Sequence, residues 1–316
     1  MDQRIEKANV GKFIDPRKTA DGSARATVAL NQPQTLWFNT GTLCNITCEN
    51  CYIESSPIND RLVYLTTCEV ESYLDQISER AWPVEEIGFT GGEPFMNPEV
   101  IAMTRAALSR GYRVLILTNA MRPMMRKTMR AGLLSLLETY GDQLTLRVSL
   151  DHWRAARHDD IRGKGAFAKT IEGMEWLRDN GFRMAVAGRA LWDETQPQAR
   201  AAYGKLFAKH NFNIDPQNPG MTVIFPEMDE MTEVPEITTA CWGILGKSPQ
   251  DVMCATSRMV VKRKGADSPT VLACTLLPYS EEFEMGPTLA DAEGDVALNH
   301  PHCAKFCVLG GASCSV

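Results

Sequence analysis

From residue 35 onward the chain alternates short apolar runs with longer segments whose apolar residues recur at helical spacing. Thr35–Leu43 reads as a strand, and Thr66-Thr-Cys-Glu69 has the form of a capping box opening a helix that reaches about Trp82. Ile87–Thr90 is a second strand, and Asn97-Pro98 predicts the cap and start of a helix to Arg110. Arg113–Asn119 carries an unbroken apolar centre, as strands buried on both faces of a parallel sheet do, and a long helix follows to about Tyr140. Leu144–Asp151 and Lys169–Asn180 form the next strand–helix pair, Phe182–Leu191 and Pro197–Lys209 the one after, and Met221–Phe225 is a sixth strand. Such alternation predicts an α/β fold built on a parallel sheet, closed or partly closed. Residues 1–34 are polar, with Pro16, Gly22 and Pro33, and are expected to wrap the main domain as an N-terminal extension.

The 316 residues are 44% hydrophobic, enough for one large domain, residues 35–230, and a smaller one, residues 231–316. A net charge of −6 without a long Lys/Arg run argues against a nucleic-acid surface. The closest candidate, Val261-Lys-Arg-Lys264, reads as a solvated hairpin tip. The start, Met1-Asp-Gln-Arg-Ile-Glu-Lys7, lacks the apolar core of a signal peptide, and no window approaches the roughly 18 uninterrupted apolar residues of a membrane span. Ten cysteines in a chain of this size without a signal point to metal binding rather than to disulfides. The expectation is a cytoplasmic, oxygen-sensitive protein with no nucleic-acid or membrane partner.

Three of those cysteines, Cys44, Cys48 and Cys51, follow the first strand with three and then two residues between them. Four thiolates close a ferredoxin-type four-iron centre and four ligands close a structural zinc site. A three-cysteine loop therefore leaves one iron open to another ligand; the alternatives are unrelated core cysteines or part of a zinc knuckle. About 40 residues on, Phe89-Thr-Gly-Gly-Glu-Pro94 ends the second strand. Gly91 and Gly92 have no Cβ, so backbone there can approach a ligand closely.

The C-x3-C-x2-C loop followed by G-G-E-P resembles the radical S-adenosylmethionine (radical SAM) superfamily. The resemblance covers roughly residues 35–316 and implies a partial (β/α)6 TIM-like barrel with ligands at the C-terminal ends of the strands. It implies a [4Fe–4S] cluster on Cys44, Cys48 and Cys51, whose open iron chelates SAM and whose electron cleaves it to a 5′-deoxyadenosyl radical. Glu93 would set its carboxylate against the SAM ammonium. Val148-Ser-Leu-Asp151, running on to His158-Asp-Asp-Ile-Arg-Gly163, resembles the branch that carries extra clusters, although the usual Gly after the Asp is His152 here. Ser149 and Asp151 would hydrogen-bond the SAM ribose, Arg189 would face the SAM carboxylate, Asn119 would contact SAM and Tyr52 would lie against adenine. His158, Asp159 and Arg162 are expected to order a surface turn, and Cys68 to be a core residue.

Six cysteines lie in the last 76 residues. Cys254 and Cys274 stand at the base of a predicted hairpin, and Cys303 and Cys307 are one helical turn apart. This arrangement resembles the auxiliary-cluster modules called SPASM and, shortened, twitch, and implies a second [4Fe–4S] centre. Cys314 in place of Cys303, or Cys241 as a joining ligand, stays open, as does a structural zinc site. His300 and His302 are expected to flank the ligands or lie at the surface.

The function expected is reductive SAM cleavage followed by hydrogen abstraction from a substrate over the barrel mouth, with a flavodoxin- or ferredoxin-like electron donor. Residues 1–34 are short for the leader-binding domain of peptide-modifying relatives, which favours a small-molecule substrate. A peptide or protein substrate is the alternative. A non-catalytic iron–sulfur or zinc protein is disfavoured, since it has no need of Gly91-Gly92-Glu93 or Arg189.

Overall fold

The computed structural model describes residue 9 and residues 11–192, 194–226 and 233–310. Its strands are β1 (Thr27–Val28), β2 (Thr35–Asn39), β3 (Glu86–Thr90), β4 (Arg113–Thr118), β5 (Leu144–Ser149), β6 (Arg183–Ala190) and β7 (Thr222–Pro226), then β8 (Ser257–Val261), β9 (Thr270–Leu272), β10 (Glu284–Gly286) and β11 (Val296–Ala297). Six of them, β2 to β7, pair in parallel in sequence order. The connecting helices are α1 (Thr67–Glu79), α2 (Val100–Ser109), α3 (Arg122–Met125), α4 (Lys127–Tyr140), α5 (Ala155–Arg162), α6 (Ala166–Asp179) and α7 (Gln196–His210). This is the wound α/β unit of a partial barrel, with every crossover carrying a helix.

Local chemistry explains several boundaries. Thr66 caps α1, its hydroxyl accepting the Glu69 N–H while the Glu69 carboxylate accepts the Thr66 N–H. Val70, Tyr73, Leu74 and Ile77 then form one apolar stripe. Cys68 lies off that stripe and is exposed, contrary to the core placement expected. Asn97 does not cap α2 directly: its amide spans to the carbonyls of Thr40 and Leu65, and helix begins only at Val100. The expected long helix after β4 is two, broken where Arg126 takes extended backbone.

The largest departure lies in the C-terminal region. The first arm of the predicted hairpin, β8, pairs in parallel with β2 and continues the barrel sheet on its open side, with β9 and β10 added antiparallel beyond it. Residues after 230 therefore share one nine-stranded sheet with the barrel. Val261, placed at a solvated tip by the sequence, is buried in β8. The N-terminal segment wraps this same region: β1 pairs with β11, and buried Arg25 meets Glu236 at 2.5 Å.

Two cores result. One lies between sheet and helices and contains Leu146, Val148 and Leu150. The other joins Trp37 and Leu115 to β8, β9, the N-terminal segment and the helical turn Cys303–Leu309. A Cβ on Gly88 would stand 2.3 Å from the Trp37 indole, so glycine there makes room for the ring inside the barrel.

Candidate active site

The C-terminal ends of the strands open into one cavity. Because strand side chains alternate, Leu146, Val148 and Leu150 of the fifth strand and its extension face the helices while Arg147, Ser149 and Asp151 face this space. Cys44, Cys48, Cys51 and Tyr52 line one wall; Thr90, Gly91, Gly92 and Asn119 line the next. Arg162, Gly188 and Arg189 follow, and Leu117, Phe225, Leu276 and Phe306 make an apolar end. Of the residues expected at the site, Tyr52, Gly91, Gly92, Asn119, Ser149, Asp151, Arg189 and the three cysteines are brought together here.

Glu93 is not on the cavity wall. It is 2% exposed, and its carboxylate accepts the Thr118 hydroxyl at 2.9 Å, the Asn119 N–H at 2.8 Å and the Phe95 N–H at 3.3 Å. Burial pushes its pKa up to about 7 against the pull of those donors. In this structure the residue ties the end of β4 to the glycine turn. That turn in turn carries the cysteine loop, through Gly92 N–H to Gly41 O at 2.9 Å and Glu93 N–H to Leu43 O at 3.1 Å.

Asp151 is buried between two guanidinium groups, Arg162 with Nε at 2.5 Å and Arg189 with Nε at 3.3 Å. Burial opposes its ionisation, but Arg162 and Arg189 outweigh it and hold the carboxyl below the usual carboxylate range. Nη1 of Arg189 lies 3.5 Å from the carbonyls of Glu49 and Asn50, between the second and third cysteines. Arg162 is a correction: it is no surface-turn residue, being half-buried and lining the cavity. Asp159 does order the turn, accepting the N–H groups of Gly165 and Phe167. His158 is fully buried against Phe167, and burial lowers its pKa to about 4.

The donor set fits an iron–sulfur cluster. Among the described residues, no three His, Cys, Asp or Glu side chains converge to hold a single metal ion. A four-iron cluster asks for something different, since each thiolate takes a different iron and the sulfurs stand around the cluster. Cys44 already has N–H donors: the Ile46 N–H and, at 3.9 Å, the Asn119 amide. Burial pushes its thiol up to about 12, so a metal must displace a proton to bind there. Cys44, Cys48 and Cys51 would hold the cluster, and the cavity beside them, floored by glycine backbone, would take SAM.

In the C-terminal region Cys254 and Cys303 are buried, and Cys274 and Cys254 both act on Cys303, whose thiol burial raises well above its ordinary value. The same two thiols act on Arg258, lying beneath them with one Nη bonded to the Cys254 carbonyl at 2.5 Å. Cys307 is half-buried on the same helical turn. Cys314 lies outside the described residues. His300 and His302 are buried rather than exposed, packed edge-to-face with ring centroids 4.8 Å apart beside Cys303. This region reaches the cavity wall through Leu276 and Phe306 and meets the thiol loop through Tyr279. Phe306 stacks on Phe225 at 5.5 Å, and Tyr279, five residues past Cys274, donates to the Ile53 carbonyl at 2.6 Å, just past Cys51.

Sequence reasoning missed Arg147, Arg162 and the apolar end of the cavity. Arg147 was within reach, two residues before Ser149 on one strand. Phe225, Leu276 and Phe306 come from distant segments with no local signature.

The description "Radical SAM superfamily" matches residues 38–190. Over 193 residues the chain is 30% identical to the antilisterial bacteriocin subtilosin biosynthesis protein AlbA of Bacillus subtilis, covering 59% of this chain and 40% of that one. Over 200 residues it is 30% identical to the AdoMet-dependent heme synthase of Methanosarcina barkeri, covering 60% and 53%. The chain thus spans about half or less of the length of these curated relatives. Streptococcus suis SuiB bound to S-adenosylmethionine has the same fold, with a TM-score of 0.57, 14% identity and coverage of 80% and 63%. Among the described residues no helix is long and apolar enough to cross a membrane. The thiol loop, the glycine turn and strands β3 to β6 lie within the matched segment, and over that segment this chain carries a radical SAM domain.

Proposed function

We propose that this enzyme cleaves SAM reductively and abstracts hydrogen from a substrate held between the Cys44/Cys48/Cys51 loop and the C-terminal cysteines. The observation that carries this reading is the single cavity reaching from those three thiols to Leu276 and Phe306, which flank the second group of cysteines. When bound, the cluster supplies the electron that breaks the SAM carbon–sulfur bond. The chain's own residues bind and orient. Gly91 and Gly92 present bare backbone to the cofactor, Asn119 and Ser149 offer an amide and a hydroxyl at the rim, and Tyr52 offers a ring to adenine. Arg189 offers a guanidinium to the SAM carboxylate from a side chain 14% exposed. Leu117, Phe225, Leu276 and Phe306 exclude water from the far end, where an abstracted position is best kept dry.

Cys254, Cys274, Cys303 and Cys307 would hold an auxiliary cluster, placed to take up an electron from the substrate side. The substrate reading follows the cavity, whose Leu117, Phe225, Leu276 and Phe306 end suits a compact molecule with an apolar body. A small-molecule substrate is favoured by the AdoMet-dependent heme synthases among the relatives. A peptide side chain is the second reading, favoured by the bacteriocin and mycofactocin maturation proteins among the relatives and by the fold shared with SuiB bound to precursor peptide SuiA.

The test is anaerobic reconstitution with iron and sulfide, then SAM and a strong reductant, with 5′-deoxyadenosine quantified chromatographically. Wild type is expected to form it, and the Cys44→Ala/Cys48→Ala/Cys51→Ala protein to form none. Product from the triple variant would sink the assignment.

A further inference from the structure

We infer that Asp151 and Arg162 are positioning residues that brace the loop between Cys48 and Cys51 and shift the reduction potential of the cluster on that loop in opposite directions. This rests on the three-thiolate reading above and concerns residues that the sequence assigned to other work.

The brace is geometric. Arg162 ends α5, and its guanidinium grips Asp151 with two prongs, Nε to Oδ2 at 2.5 Å and Nη2 to Oδ1 at 3.2 Å. One residue earlier, the Ile161 carbonyl accepts the N–H of Glu49, the residue after Cys48, at 2.9 Å. From the other side, Arg189 shares Asp151 and reaches the carbonyls of Glu49 and Asn50. The loop backbone is thus held on both flanks by groups converging on one carboxylate. Asp151 and Arg162 are 3% and 11% exposed and line the same cavity as Cys48 and Cys51.

The charges are fixed. An arginine stays protonated, and Asp151 is held ionised by its two guanidinium partners. Both charges line the cavity that Cys48 and Cys51 line. In a buried site such charges act at reduced screening. Reduction transfers one electron to the cluster from a low-potential one-electron donor, with no bond or proton exchanged. A neighbouring cation stabilises the more negative reduced state, and a neighbouring anion destabilises it.

The experiment is an EPR-monitored redox titration of reconstituted holoenzyme, dithionite supplying the electrons. The signal to follow is the one that SAM perturbs and that Cys44→Ala removes; if no such signal exists, the three-thiolate reading fails rather than this inference. Arg162→Gln is expected to lower the midpoint potential and Asp151→Asn to raise it, with the double variant returning near wild type. Lost loop bracing alone would move both single variants the same way, and that result, or no movement in either, overturns the inference. Should Arg162→Gln lose iron, Arg162→Lys carries the test, because the charge stays while the two-pronged grip goes. A wild-type potential in that protein supports the inference and a lowered one overturns it.

Discussion

Gly92 sits where the glycine turn touches the cysteine loop, and Gly92→Ala tests whether that contact organises the site. A Cβ there would stand 2.3 Å from the Leu43 oxygen and 2.6 Å from the Leu43 carbonyl carbon and the Thr42 oxygen. All three are backbone atoms immediately before Cys44, so no rotamer change relieves the clash and the two loops must part. Forcing a methyl into a packed site costs about 1–3 kcal/mol. Weakening the Gly92–Gly41 and Glu93–Leu43 hydrogen bonds adds up to about 1 kcal/mol each, so a loss of about 2–4 kcal/mol is expected, a large share of a typical domain's stability. Urea denaturation of the reduced apo chain reads the stability, and iron per chain after reconstitution reads the loop. Gly243→Ala is the control: nothing lies within 4 Å of its Cβ, it sits in the short helix Cys241–Leu245, and alanine should gain about 0.5–1 kcal/mol. A Gly92→Ala protein with the wild-type midpoint and wild-type iron would refute the reasoning.

Two further outcomes are expected. Reconstituted wild type should hold about eight irons from two four-iron clusters and the Cys44/Cys48/Cys51 triple variant about half, while Cys68→Ala, on the exposed face of α1, changes neither; zinc, or four irons in wild type, removes the auxiliary cluster. Burial raises Glu93 from an ordinary 4.5 to about 7, so its protonation stabilises the folded apo chain fully below about pH 4.5, and that contribution is lost as pH rises through about 7. Measured against Glu93→Gln, wild type should therefore lose up to about 3 kcal/mol across that window, and parallel pH curves for the two proteins would remove Glu93 as the cause.

The parallel strands were legible because each is a short apolar run closed by helix or turn chemistry, and each lands within a few residues of its predicted bounds. The thiol loop and glycine turn were legible because they are contiguous in sequence. What escaped was set by tertiary placement. Cys68 precedes the stripe of Val70, Tyr73, Leu74 and Ile77 by a step that turns it outward, a phase the helical period contains but composition does not. Arg162 looked like a turn residue, and only the approach of α5 to the cysteine loop turns it into a partner for Asp151. Glu93 carries the right charge for a ligand ammonium, yet three donors behind the wall claim its carboxylate, and no local pattern reveals a donor from β4.

The parallel pairing of β8 with β2 changes how the C-terminal cysteines relate to the chemistry. A separate module would hang on a linker and leave the distance between the two cysteine groups free to vary. Here Trp37↔Met259 and Phe38↔Val260 are ladder partners, so the strand that leads into the first thiol loop is bonded to the strand that follows Cys254. Trp37 fills the barrel against Met259 and Leu272 in one core that also holds Cys254 and Cys303. Tyr279 then closes the circuit onto Ile53. Under the proposed function, a fixed spacing keeps the route short between a substrate and a cluster on the C-terminal cysteines. Continuous sheet and shared core supply that spacing more firmly than an interdomain contact would. The fold therefore makes the second group of cysteines part of the cavity's own architecture, with Phe306 and Leu276 as the walls that both share.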